Sequence, residues 1–131
     1  MMDLDVCTEY PATRQRAEKT MELTHAWAVR SVEYWRKLKT QNSKVKSTTK
    51  NSNLNIDSQF STCLPDRQAL NSQLLFGIVQ GSTYKDLREE STEYISSLPF
   101  DGIAVGGVSV GEGKKNMYEV MKWVSPNLPE N

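Results

Sequence analysis

Two apolar runs, LLFGIV at residues 74–79 and IAV at 103–105, contain no alternating polar positions, and each stops at glycine, at Gly81 and at Gly106-Gly107. A short unbroken apolar run bounded by turn residues suits a strand covered on both faces, as in a parallel sheet. Parallel strands need a crossover between them. The intervening residues supply one, with Tyr84, Leu87, Tyr94, Ile95 and Leu98 forming the apolar face of a helix. Ser82 or Thr83 is the expected cap, and Thr83-Tyr84-Lys85-Asp86 has the form of a capping box.

The pattern extends in both directions. Met1 to Asp5 read as the end of a first strand, and Pro11 breaks the chain after it. From about Ala12 to Leu38, the residues Ala17, Met21, Trp27, Ala28, Val32, Trp35 and Leu38 recur at helical steps. Thr13 is the expected N-cap, and Arg36, Lys37 and Lys39 suit the negative end of the dipole. A third helix from about Lys114 presents Met117, Val120, Met121 and Val124, and Pro126 and Pro129 close it. The alternation predicts an α/β chain of about three βα units with parallel strands, part of a (β/α)8 barrel or of a doubly wound sheet. Residues 1–131 form one partial domain in this reading, because three strands alone leave open edges.

Residues 40–73 change character. TQNSKVKSTTKNSNLNIDSQ is Ser, Thr, Asn and Lys with few apolar groups, and it predicts a mobile surface loop. The functional reading, Lys44, Lys46 and Lys50 against RNA phosphates, ranks below that bland one.

Charge argues against a general nucleic-acid coat, since 16 basic residues balance 16 acidic ones, and leaves only a local patch open. Cys7 and Cys63 are too few for a disulfide scaffold or a zinc site, so a reducing, cytoplasmic setting is expected. No segment has the length and apolarity of a membrane span, and the N-terminus does not read as a signal peptide.

In α/β folds ligands meet the carboxyl ends of the strands. Here those ends carry Asp5 and Cys7, then Gln80-Gly81, then Gly106-Gly107 followed by Glu112. A carboxylate accepts two N–H bonds, while a carboxamide and a bare backbone N–H donate to a carbonyl. That set complements a guanine edge. Each residue also has a bland role. Asp5 could cap a turn, Gln80 could satisfy the backbone, the glycines could serve packing, and Cys7 could be a small apolar filler. Asp3 and Glu9 beside Asp5 do not by themselves make an acid–base pair, and the lone His25 belongs to packing or surface within the first helix. The glycine spacing fits neither GxGxxG nor GxxxxGK[ST], although Lys114 and Lys115 leave a phosphate-binding barrel as an alternative.

Six pieces in order, LDVCTEYPAT, MELTHAWAVRS, LFGIVQG, DLREES, FDGIAVGGVSVGE and MYEV, resemble the middle of bacterial tRNA-guanine transglycosylase. The resemblance implies a (β/α)8 barrel that exchanges guanine at the tRNA wobble position for a 7-deazaguanine, in queuosine biosynthesis. It implies that Asp5 binds the N–H edge of the base and that Gln80 and Gly107 donate to its carbonyl. Gly106 precedes that donor, Cys7 lines the same pocket, and Glu112 props the peptide after Val108. It implies tRNA and the base as partners, with further enzyme segments or a homodimer partner. The family binds zinc through a C-terminal segment, and no cofactor is expected in these residues. The family's general-base aspartate would precede this segment, and its nucleophilic aspartate would follow it. The chain alone is therefore expected not to incorporate labelled guanine into tRNA. A tRNA- or subunit-binding remnant without catalysis is the alternative. Ser82 departs from the family, which carries a second glycine after VQG.

Overall fold

The computed structural model describes the backbone of residues 1–48 and 73–129, and side chains over the same residues except 41–48. Helix α1 spans Arg14–Thr48, strand β1 Phe76–Val79, helix α2 Lys85–Ser97, strand β2 Gly102–Val105 and helix α3 Gly113–Val124, followed by a 3-10 turn at Ser125–Asn127. Residues 1–32 and 74–131 make one compact unit, and Glu33–Gln73 group as a second.

The two strands pair in parallel, Phe76 with Gly102 through Val79 with Val105. The expected first strand is reduced to one parallel bridge between Met2 and Phe76. There the Phe76 N–H donates to the Met1 carbonyl and the Asp3 N–H to the Phe76 carbonyl, both at 2.9 Å. The strand direction thus agrees with the sequence, but only two of three expected strands form.

The Thr13 hydroxyl accepts the Arg16 N–H at 3.4 Å, which starts α1 as a cap should. The helix continues ten residues beyond Leu38, into the segment expected to be a loop. The remainder of that segment, including Lys50 and Cys63, and the side chains of Lys44 and Lys46 lie outside the described residues. The capping box is not used. Ser82 takes a left-handed φ of 51° in the turn closed by the Tyr84 N–H on the Gly81 carbonyl, so Tyr84 becomes the N-cap with no side-chain cap bond.

Helix α2 packs against β1 and against α3. Ala28, Val79, Ile95, Val120 and Val124 form the main core, with Phe100, Ile103, Val105 and Val108 against it. Ala17, Met21 and Leu87 form a second cluster. Truncating Ile95, which is fully buried, to alanine is expected to destabilise the fold by about 2–5 kcal/mol. Urea denaturation would measure it, through the midpoint at constant slope.

His25 belongs to packing. It is buried, stacked on Tyr94 with ring centroids 4.3 Å apart, and its Nε2 lies 3.0 Å from the Ser91 hydroxyl. Burial lowers its pKa below the ordinary 6.5. The unfolded chain therefore binds this proton first as pH falls. The neutral ring's contribution is complete above about 6.5 and declines as pH drops towards the folded value. Unfolding at pH 7.5 and pH 5.5 should show a smaller loss of stability for His25→Gln than for the unmodified chain.

Candidate purine-binding site

The ends of β1 and β2 meet the N-terminal segment at Asp5, Gln80 and the Gly106–Gly107 pair. The N-terminal segment is anchored where the Val6 N–H donates to Thr24 Oγ1 at 3.2 Å, and Thr24 is wholly buried in α1. This holds Asp5 half-buried and leaves Cys7 exposed. Asp3 takes no part, since its Oδ1 accepts the Ser31 hydroxyl of α1 at 2.5 Å.

Gln80 leaves β1 buried, and its backbone N–H donates to Ser91 Oγ at 3.0 Å. Its side-chain Nε2 donates to Asp5 Oδ2 at 2.5 Å. A carboxamide nitrogen has two N–H groups, so this bond leaves Gln80 a second donor. Gly106 continues the ladder through its N–H on the Val79 carbonyl at 2.9 Å. A Cβ there would stand 2.6 Å from Gln80 Nε2 and 3.1 Å from Asp5 Oδ2. Gly107 adopts φ 61°, and a Cβ on it would stand 2.5 Å from Gln80 Oε1. Asp5, Gln80, Gly106 and Gly107 are therefore neighbours, although 75 residues separate the first two.

Cys7 faces the same cluster. Burial and the Asp5 carboxylate raise its thiol pKa, while Arg88 and the Gly107 N–H oppose them. A raised thiol is a weak nucleophile at neutral pH. Val108 is turned to the core. Glu112 is buried and accepts the Ser109 N–H at 2.5 Å and the Val110 N–H at 2.8 Å. It thus holds the backbone after Val108, with Ser109 at φ 68°.

Burial pushes the Glu112 carboxyl up, but its own N–H, those of Ser109 and Val110, and Arg88 together hold it below the ordinary 4.5. As pH falls the unfolded chain takes this proton first. The stabilisation is complete above about 4.5 and is lost as pH falls through the folded value. The protection of the Ser109 and Val110 amides against exchange, relative to an unstructured chain at the same pH, should fall over that acid range, and Glu112→Gln should remove that fall.

Arg88 is the residue that sequence reasoning missed. It is fully buried on the inner face of α2. Its Nε donates to the Ser82 carbonyl at 2.7 Å, Nη1 to Val79 at 3.1 Å and Gly106 at 2.7 Å, and Nη2 to Gly107 at 3.0 Å. Burial lowers its pKa to about 10, opposed by Cys7 and Glu112, so it remains a cation at neutral pH. The signal was its helical phase: Tyr84, Arg88, Ser91 and Ile95 step along one face.

A cavity of 710 Å³ lies elsewhere, lined by Lys115, Tyr118, Glu119, Met121, Lys122, Ser125 and Pro126. Its concavity comes without converging buried polar groups, unlike the cluster at Asp5 and Gln80. Among the described residues, no three His, Cys, Asp or Glu side chains could share a metal ion, and no helix is long and apolar enough to cross a membrane.

A family model described as queuine tRNA-ribosyltransferase matches residues 1–131. A protein of that name from Vibrio cholerae serotype O1 is 37% identical over 131 residues, covering 100% of this chain and 26% of the relative. One from Neisseria meningitidis serogroup A is 38% identical over 130 residues, covering 99% and 27% respectively. The chain thus spans about a quarter of the length of these relatives. With the family match extending over every residue, this chain belongs to the queuine tRNA-ribosyltransferase family.

Proposed function

We propose that these residues form the base-recognition part of a tRNA-guanine transglycosylase, within a (β/α)8 barrel, and that the whole protein exchanges guanine for a 7-deazaguanine at the tRNA wobble position. Such a protein acts on tRNA, in the cytoplasm. The observation that carries the reading is the Asp5–Gln80 bond beside Gly106 and Gly107. The carboxylate would accept the N1–H and exocyclic N–H of guanine. The second Gln80 N–H and the Gly107 N–H would donate to O6. Parallel strands that end together on these groups agree with ligand binding at the carboxyl ends of a barrel.

Calorimetric titration of the chain with guanine tests this. Asp5→Ala removes the acceptor of two N–H bonds and leaves the buried Gln80 amide without its partner. It is expected to weaken binding by on the order of 10- to 100-fold or more, from about 1–3 kcal/mol per lost buried partner. Equal affinity in both proteins, or none in the unmodified chain, would overturn the reading.

A further inference from the structure

We propose that Arg88 is the positioning residue of this site, turning the Gly107 and Val108 N–H groups towards the base by holding the Gly106 and Gly107 carbonyls behind them. The inference rests on the base-recognition reading above and deepens it by naming what builds the donor side.

The Gly106–Gly107 and Gly107–Val108 peptides are trans, as the chain's only cis bond among the described residues is Tyr10-Pro11. In a trans peptide the C=O and the following N–H point in opposite directions. The Gly106 carbonyl accepts from Arg88 Nη1 and the Gly107 carbonyl from Nη2. The N–H groups of Gly107 and Val108 must then point away from the guanidinium. The glycine pair lies beside the acid, since a Cβ on Gly106 would stand 3.1 Å from Asp5 Oδ2.

The same guanidinium reaches the turn after β1. Its Nε holds the Ser82 carbonyl, and Nη1 also touches Val79. One rigid fork therefore ties the end of β1, the turn into α2 and the glycine pair after β2. Lysine cannot replace it. Its ammonium is a single point with three donors and cannot span carbonyls on three separate segments. Arg88 makes no contact with the base in this scheme. It acts through the peptides it holds.

The test uses the full chain, Arg88→Lys, and 15N-resolved amide spectra alongside guanine calorimetry. Arg88→Lys is expected to bind guanine at least tenfold more weakly and to shift and speed the exchange of the Gly107 and Val108 amides. The Val120 amide, in the main core, should be unchanged, which a general loss of stability would not allow. Guanine binding at the unmodified affinity by Arg88→Lys would overturn the inference and leave the base-recognition reading standing. No guanine binding by the unmodified chain would overturn the base-recognition reading, and with it the assignment of Arg88 to a base pocket. Should Arg88→Lys fail to fold, the unmodified chain decides. Bound guanine should move the Gly107 and Val108 amide resonances, and unmoved resonances at saturation would overturn the inference.

Discussion

Gly106→Ala is expected to abolish measurable guanine binding while leaving the chain folded. The added methyl would stand 2.6 Å from both Gln80 Nε2 and Ile78 Cγ2, and 3.1 Å from Asp5 Oδ2. Real carbon contacts do not approach so closely, so something must move. Ile78 is buried in β1 and held by its neighbours. The Gln80 amide is the end of a longer side chain, so it yields first. Its departure breaks the bond to Asp5 and moves both the carboxamide donor and the acceptor. Loss of two converging groups corresponds to a decrease in affinity on the order of 100-fold or more. The overpacking itself costs about 1–3 kcal/mol, which a stable domain survives. Circular dichroism would show retained secondary structure, and calorimetry would show no heat of binding. A Gly106→Ala chain that binds guanine normally would remove Gly106 from the site.

Gly81→Ala is expected to act on the fold itself. Gly81 has φ 135°, a region that L side chains rarely adopt, at a cost of about 1–3 kcal/mol. The methyl would also stand 2.8 Å from the Arg88 backbone nitrogen and 2.9 Å from the Leu87 carbonyl carbon. These are main-chain atoms of α2, so no side-chain rotation relieves the clash. Overpacking adds about 1–3 kcal/mol. The sum, about 2–6 kcal/mol, compares with a total stability of about 5–15 kcal/mol for a domain. Thermal unfolding should therefore fall by on the order of 10 °C or more, or lose its cooperativity. The two substitutions separate the two demands made on glycine here. One keeps space for side chains at the site, and the other lets the chain turn beneath a helix.

Ser82 connects them. The family resemblance places a second glycine there, and this chain carries serine at φ 51°. Left-handed backbone is uncommon for a residue with a Cβ. Ser82 is buried, and its carbonyl is held by Arg88 Nε. Ser82→Gly is thus expected to leave the turn intact and to change thermal stability little, since relief of strain in the fold opposes greater freedom in the unfolded chain.

The helices and the parallel direction of the strands were legible because they rest on local periodicity. Unbroken apolar runs and three- and four-residue steps survive any tertiary context. The start of α2 was misread because a capping box describes two side chains near a turn, and this turn was set by Gly81 and Ser82 instead. Arg88 escaped notice for a related reason. A charged residue on an otherwise apolar face reads as an exception, and only the folded structure reveals that four carbonyls compensate its burial.

The residue types at the strand ends, an acid, a carboxamide and a glycine pair, were determined by the sequence alone, as was the order in which helices and strands deliver them. The hold of Glu112 on the backbone after Val108 was already implied by the family resemblance, but only the tertiary structure decided that Asp5 and Gln80 touch and that a buried arginine donates to both carbonyls of the glycine pair. The physical reason is range. Periodicity reports contacts a few residues apart, whereas these bonds join strand ends whose separation along the chain carries no pattern, and they exist only once the sheet has brought those ends together.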